Sequence, residues 1–222
     1  MKDVTLPVFL IILLCFFMCG TKLIDQNDNS FLDQFTQRKE FQNWINFWAD
    51  SFSDVELSTL KFEHKNSLIL IGNQLNSEST EKLSSRRFTL NNNKTGKFSV
   101  DLYPDVSFIN LSKDGSLLVK GRDADPAFKI YNFNNAFEYY YTSGPTAFYD
   151  ESIWTSDTSF AIFGVSFWPG QDSFQNFMVL KGITNRDTVE IEVYLSEKLP
   201  WKSGWTDYMS YKYPNIKFWF QK

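Results

Sequence analysis

The hydrophobic pattern of the chain changes period once. Phe41, Trp44, Ile45, Trp48 and Phe52 recur at steps of three and four, and Phe31, Leu32 and Phe35 extend the stripe backwards. That spacing predicts an amphipathic helix over 31–52, with Gln37, Lys39, Glu40 and Gln42 on its wet side. Such a stripe ordinarily buries itself on a sheet. The other reading is a partner-binding or membrane-lying helix.

From about residue 55 the period falls toward two. Leu60, Phe62 and His64 alternate with polar neighbours, as do Phe98, Val100 and Leu102, and again Val189, Ile191, Val193 and Leu195. Residues 68–71 form an apolar run that predicts a buried strand ending at Gly72. Turn chemistry punctuates these runs at 91–93 (Asn-Asn-Asn), 113–115 (Lys-Asp-Gly), 143–145 (Ser-Gly-Pro), 169–170 (Pro-Gly) and 185–187 (Asn-Arg-Asp). Ser67, Ser116 and Ser159 each open a six-residue pattern of three apolar residues, any residue and Gly. The copies recur roughly every 45 residues, close to the period of β-propeller blades. The prediction is a mainly β fold of antiparallel sheets, with partial propeller-like blades as one arrangement, preceded by one amphipathic helix.

The N-terminus reads differently. Lys2 precedes an unbroken apolar run at 8–18, which is followed by Cys19 and Gly20. The run suits a signal-peptide core and is short for a hydrocarbon crossing, which takes about 20 residues. An uncleaved signal anchor is the alternative. Phe16-Phe17-Met18-Cys19-Gly20 resembles the lipobox of bacterial lipoproteins, although Phe16 and Met18 are bulkier than the usual residues. The resemblance implies cleavage before Cys19 and lipid attachment, such as palmitate, to that cysteine. Cys15 and Cys19 are the two cysteines of the chain, so no disulfide is expected in the mature body. The expected organisation is a signal peptide at 1–18, a polar tether at 19–30 and one β-rich domain at 31–222.

Composition narrows the chemistry. Lys and Arg total 22 against 26 Asp and Glu, interspersed, for a net charge of −4. That balance argues against nucleic acid as a partner, which needs clustered cations. Aromatics at 18% favour half-buried strands. His64 is the single histidine, so a nucleophile–base pair would depend on it and the usual zinc sets are excluded. Asp123 and Asp125 before Pro126 read as an Asp turn rather than a cation loop. No cofactor and no metal site are expected.

Asp150 and Glu151 beside Trp154 form the most suggestive acidic cluster. Paired carboxylates serve glycoside chemistry, and the C-terminal aromatics Trp201, Trp205, Tyr208, Tyr211, Tyr213 and Trp219 suit a sugar platform or the closure of a core.

Residues 93–98 (Asn-Lys-Thr-Gly-Lys-Phe), 121–125 (Gly-Arg-Asp-Ala-Asp), 130–133 (Ile-Tyr-Asn-Phe) and 150–154 (Asp-Glu-Ser-Ile-Trp) through Gly164 resemble a group of short bacterial lipoproteins with a propeller-like β body. The resemblance spans roughly residues 93–179. Those proteins often carry cysteines where this chain has 143–148, and here there are none. The resemblance implies export and a β fold, and brings no activity with it. The expected function is a bacterial cell-envelope lipoprotein, membrane-anchored through Cys19. Its body would be a non-enzymatic binding or scaffold module for a protein or glycan. The alternative is a carbohydrate-active enzyme or sugar-binding module using Asp150, Glu151, Trp154, Trp201 and Trp205.

Overall fold

A computed structural model of the chain describes residues 35, 37–49, 60–75, 83, 89–110, 116–120, 127–143, 147–167, 174–200 and 208–220. The signal peptide, the tether, Trp201, Trp205, the Asp123–Asp125 turn and the turns at 113–115 and 169–170 lie outside those residues.

The protein is mainly β. In chain order the elements are α1 (Lys39–Ala49), β1 (Phe62–Ile71), β2 (Asn73–Gln74), β3 (Leu90–Asn92), β4 (Phe98–Asp101), β5 (Ser107–Asn110) and β6 (Leu117–Lys120). There follow β7 (Ala127–Asn132), β8 (Phe137–Thr142), β9 (Ala147–Trp154), β10 (Ser159–Phe167), β11 (Phe174–Thr184) and β12 (Thr188–Ser196). The last are β13 (Leu199–Pro200), α2 (Tyr208–Lys212) and β14 (Phe218–Phe220).

Among the described residues these strands form two large antiparallel sheets. One is six-stranded, in the order β1-β12-β11-β10-β9 with β13 paired to β11; the other is five-stranded, in the order β2-β8-β7-β4-β3. A smaller sheet joins β5, β6 and β14, the last running parallel to β6.

The six-stranded sheet is covered on both faces. On its inner face Phe160, Ile162, Leu180, Val189 and Ile191 pack against Val100, Phe128, Ile130 and Tyr139 of the five-stranded sheet. On its outer face Ala161, Phe163, Val165, Phe177 and Val179 meet Phe41, Trp44, Ile45 and Trp48 of α1. This double burial explains the unbroken apolar stretches 160–163 in β10 and 177–180 in β11, while β12 alternates. The described part of the predicted helical stripe, Phe35, Phe41, Trp44, Ile45 and Trp48, is therefore spent inside the fold; Phe31, Leu32 and Phe52 lie outside the described residues. Trp44 stacks on Phe163 at 5.3 Å and meets Phe177 edge-on at 5.2 Å. Each such buried side chain contributes about 1.5–3 kcal/mol.

Three local expectations change. The turn predicted at 91–93 falls later, because Asn91 and Asn92 are already in β3. Asn93 accepts the amide of Gly96 at 3.0 Å, and Gly96 takes the positive φ of 68° that the turn requires. The apolar run 68–71 is half exposed: Leu68 and Leu70 face the sandwich core, while Ile69 and Ile71 are 64% and 78% exposed. A bulge between His64 and Asn66 shifts β1 there, and β1 is an end strand. The repeat does not mark separate blades. Its copies fall in end strand β1, in β6 of the small sheet and in inner strand β10, so two of them share one sheet.

Candidate functional site

The site begins with an irregularity in β9. Its pairing with β10 runs Phe163 to Glu151 and then Gly164 to Tyr149, so Asp150 is the extra residue of a β-bulge. In a regular strand Tyr149, Glu151 and Ile153 would share a face. Here Tyr149 lies in the inner core and Ile153 in the outer one. The bulge puts two consecutive carboxylates, Asp150 and Glu151, to work on the helix-bearing face. Gly164 makes this possible, since a Cβ there would sit 2.0 Å from the carbonyl oxygen of Phe148.

Asp150 is buried, and its Oδ2 accepts hydrogen bonds from two indoles one helical turn apart, Trp44 Nε1 at 3.1 Å and Trp48 Nε1 at 2.8 Å. Indole N–H groups are donors only, so burying two of them beneath α1 requires an acceptor at this point. A carboxylate serves both at once.

Glu151 is equally buried but differently used. Its Oε1 receives Lys212 Nζ at 2.6 Å and the amide of Ser152 at 2.9 Å, while Tyr208 Oη lies 3.4 Å from Oε2. α2 supplies both Tyr208 and Lys212. Phe47 links the two helices, with its ring 5.1 Å from Tyr208 and 4.9 Å from Tyr211. Burial pushes the Tyr208 hydroxyl well above its ordinary value, and the Glu151 and Asp150 carboxylates push it the same way. Tyr213 is raised as well, first by burial, with the Lys212 ammonium opposing and Glu151 reinforcing. Both phenols stay protonated at ordinary pH.

Glu151 also lines a cleft of about 630 Å³, within the size range of small-molecule sites. The cleft lies where end strands β3 and β9 of the two large sheets meet. Asn91 Nδ2 donates to the carbonyl and hydroxyl oxygens of Ser152, Trp154 Nε1 donates to the carbonyl of Asn91 at 2.8 Å, and Asn93 Nδ2 donates to the carbonyl of Asp157 at 2.7 Å. Trp154, Thr155 and Ser156 of the β9–β10 hairpin form one wall, Leu90 to Asn92 another, and Tyr103, Lys212 and Tyr213 close the remainder. Arg38 and Glu40, at the start of α1, line the cleft as well, as do Lys94 and Asp157.

Of the residues singled out by sequence, Glu151 and Trp154 line the cleft, whereas Asp150 sits beneath α1 and is not in its walls. Tyr208 is buried, Tyr213 reaches the cleft, and Tyr211 is exposed. His64 lies on exposed β1 with Nε2 3.0 Å from Ser67 Oγ, outside the cleft. Sequence reasoning missed Lys212 and Asn91. Lys212 carried no local signal, and Asn91 sat in a run read as a turn. Among the described residues no group of three or more His, Cys, Asp or Glu side chains is placed to hold a metal ion, and no helix is long and apolar enough to cross a membrane. The architecture defines an antiparallel β-sandwich with a helix on the outer face of its larger sheet. Comparison of the chain with family models, curated proteins and solved structures finds no match.

Proposed function

We propose that this chain is an exported, non-enzymatic binding module of the bacterial cell envelope, tethered by a lipid on Cys19, which holds a glycan in the cleft between β3 and β9. The cleft carries this reading. It joins aromatic rings (Trp154, Tyr103, Tyr213) to amides (Asn91, Asn92), hydroxyls (Thr155, Ser156) and one half-buried ion pair (Glu151–Lys212). Sugars offer weakly polar ring faces and hydroxyls that both donate and accept, which this mixture matches. The acidic pair Asp150 and Glu151 does not face the cleft together, because Asp150 is held by two indoles under α1.

Export and anchoring are supported by the apolar run at 8–18 and the lipobox-like residues before Cys19. Intact mass of the protein from its native host tests this half, the expected value being a chain that starts at Cys19 with acyl groups attached. An unmodified chain retaining Met1 would refute it. A glycan array followed by tryptophan-fluorescence titration tests the other half. Saturable quenching that Trp154→Ala abolishes is expected, and no response to any saccharide would remove the glycan.

A further inference from the structure

We infer that the cleft selects an uncharged saccharide and discriminates against uronates and amino sugars; this deepens the binding reading above and rests on it. The argument is charge balance at named positions. Three cations line the cleft (Arg38, Lys94 and Lys212), and so do three anions (Glu40, Glu151 and Asp157). The two signs come in close sequence or contact: Arg38 is two residues from Glu40, and Lys94 follows Asn93, whose side-chain amide donates to the carbonyl of Asp157. With the two signs equal in number among the lining residues, neither a carboxylate nor an ammonium meets a complementary net charge in the cleft.

At the floor the conflict is sharper. Lys212 Nζ is already 2.6 Å from Glu151 Oε1, and the Glu151 side chain is only 6% exposed. A uronate that captured Lys212 would leave Glu151 buried without its counter-charge, which is strongly unfavourable in a low-dielectric site. A sugar hydroxyl has no such conflict. It can accept from the remaining ammonium protons and donate to the carboxylate, leaving the pair intact. Trp154 has already spent its N–H on the carbonyl of Asn91, so it presents a ring face rather than a donor. Ring faces suit the C–H surface of a neutral pyranose.

The test is tryptophan-fluorescence titration of the full-length mature protein with neutral gluco-, manno- and galacto-oligosaccharides, oligogalacturonate and chitosan oligomers, at 50 and 500 mM NaCl. At least one neutral series should bind, with Kd changing less than twofold between the two salts, because uncharged ligands are not screened. Oligogalacturonate and chitosan should bind at least tenfold more weakly. Replacing exposed Asp157 by Asn removes one repelling acid and should raise oligogalacturonate affinity at least threefold. A charged series that binds as tightly as the neutral ones and weakens with salt would overturn the selectivity while leaving the binding reading standing. So would an Asp157→Asn protein whose oligogalacturonate affinity is unchanged. Failure of every saccharide to bind would overturn both.

Discussion

Asp150 and Glu151 are adjacent in sequence, equally buried and on the same side of the sheet, yet they serve different ends. Asp150 faces two neutral donors in a closed aromatic pocket, with Trp44 and Trp48 above it. Glu151 faces a cation that is 29% exposed, at the floor of an open cleft. The first is a fastening for α1. The second fastens α2 and shapes a surface that a ligand can reach. Residue type and burial alone therefore do not separate a structural carboxylate from a functional one; the partners and their exposure do.

Removing the fastening should have the largest effect. Asp150→Ala leaves two buried indole donors without an acceptor and should cost about 2–6 kcal/mol, at about 1–3 kcal/mol for each orphaned donor. Asp150→Asn keeps one acceptor oxygen and should cost about 1–2 kcal/mol. Urea denaturation of both variants measures the difference. A loss below about 1 kcal/mol for Asp150→Ala would erase the distinction between the two acids.

Gly164→Ala probes the bulge that makes both placements possible. Its Cβ would strike the carbonyl of Phe148 at 2.0 Å, and the backbone must move. The expected cost is about 2–3 kcal/mol, accompanied by weaker ligand binding because Glu151 shifts with β9. On the cleft side, Lys212→Met leaves the buried Glu151 carboxylate without its counter-charge and should cost about 2–3 kcal/mol, less than for a fully buried pair because the ammonium is 29% exposed. Its ligand affinity should nevertheless fall about tenfold, the worth of one charge-assisted hydrogen bond. A Lys212→Met protein that binds normally would place the ligand elsewhere.

Alkaline pH should weaken the α2 side. Burial is the first cause of the raised values of Tyr208 and Tyr213, so the native state keeps these protons above pH ~10, where the unfolded chain releases them. The unfolded state then binds fewer protons, and stability falls as pH rises. The full contribution is present below pH ~10, and each such tyrosine removes about 1.4 kcal/mol per pH unit above it. Urea midpoints at pH 9, 10 and 11 check this, and Tyr208→Phe should flatten the decline. Smallest of all, Ile69→Thr and Ile71→Thr on the open end of β1 should change stability by less than about 0.5 kcal/mol each.

Much of this architecture was legible in the residues. The stripe of Phe41, Trp44, Ile45 and Trp48 specified a helix and its buried face, and the alternation of Val189, Ile191 and Val193 specified β12 and its inward side. Asp150, Glu151 and Trp154 stood out as a cluster. What alternation cannot carry is the bulge, because period-two reasoning sends neighbouring residues to opposite faces and the exception depends on Gly164 across the ladder. Nor can it carry the partners. Lys212 is 61 positions from Glu151 and Trp44 is 106 from Asp150, so only the packed sheets bring them together. The split of 68–71 into two partly buried and two exposed positions was hidden for a related reason. An apolar run looks the same whether its strand is covered on one face or two.

The division of labour between the two acids is tested most directly at the indole protons of Trp44 and Trp48, by hydrogen exchange in ¹⁵N-labelled protein. Both should be strongly protected in the native protein and should lose that protection in Asp150→Ala, while Lys212→Met leaves them protected. Rapid exchange of either indole in the unmodified protein, or equal loss in both variants, would contradict the separate roles assigned to Asp150 and Glu151.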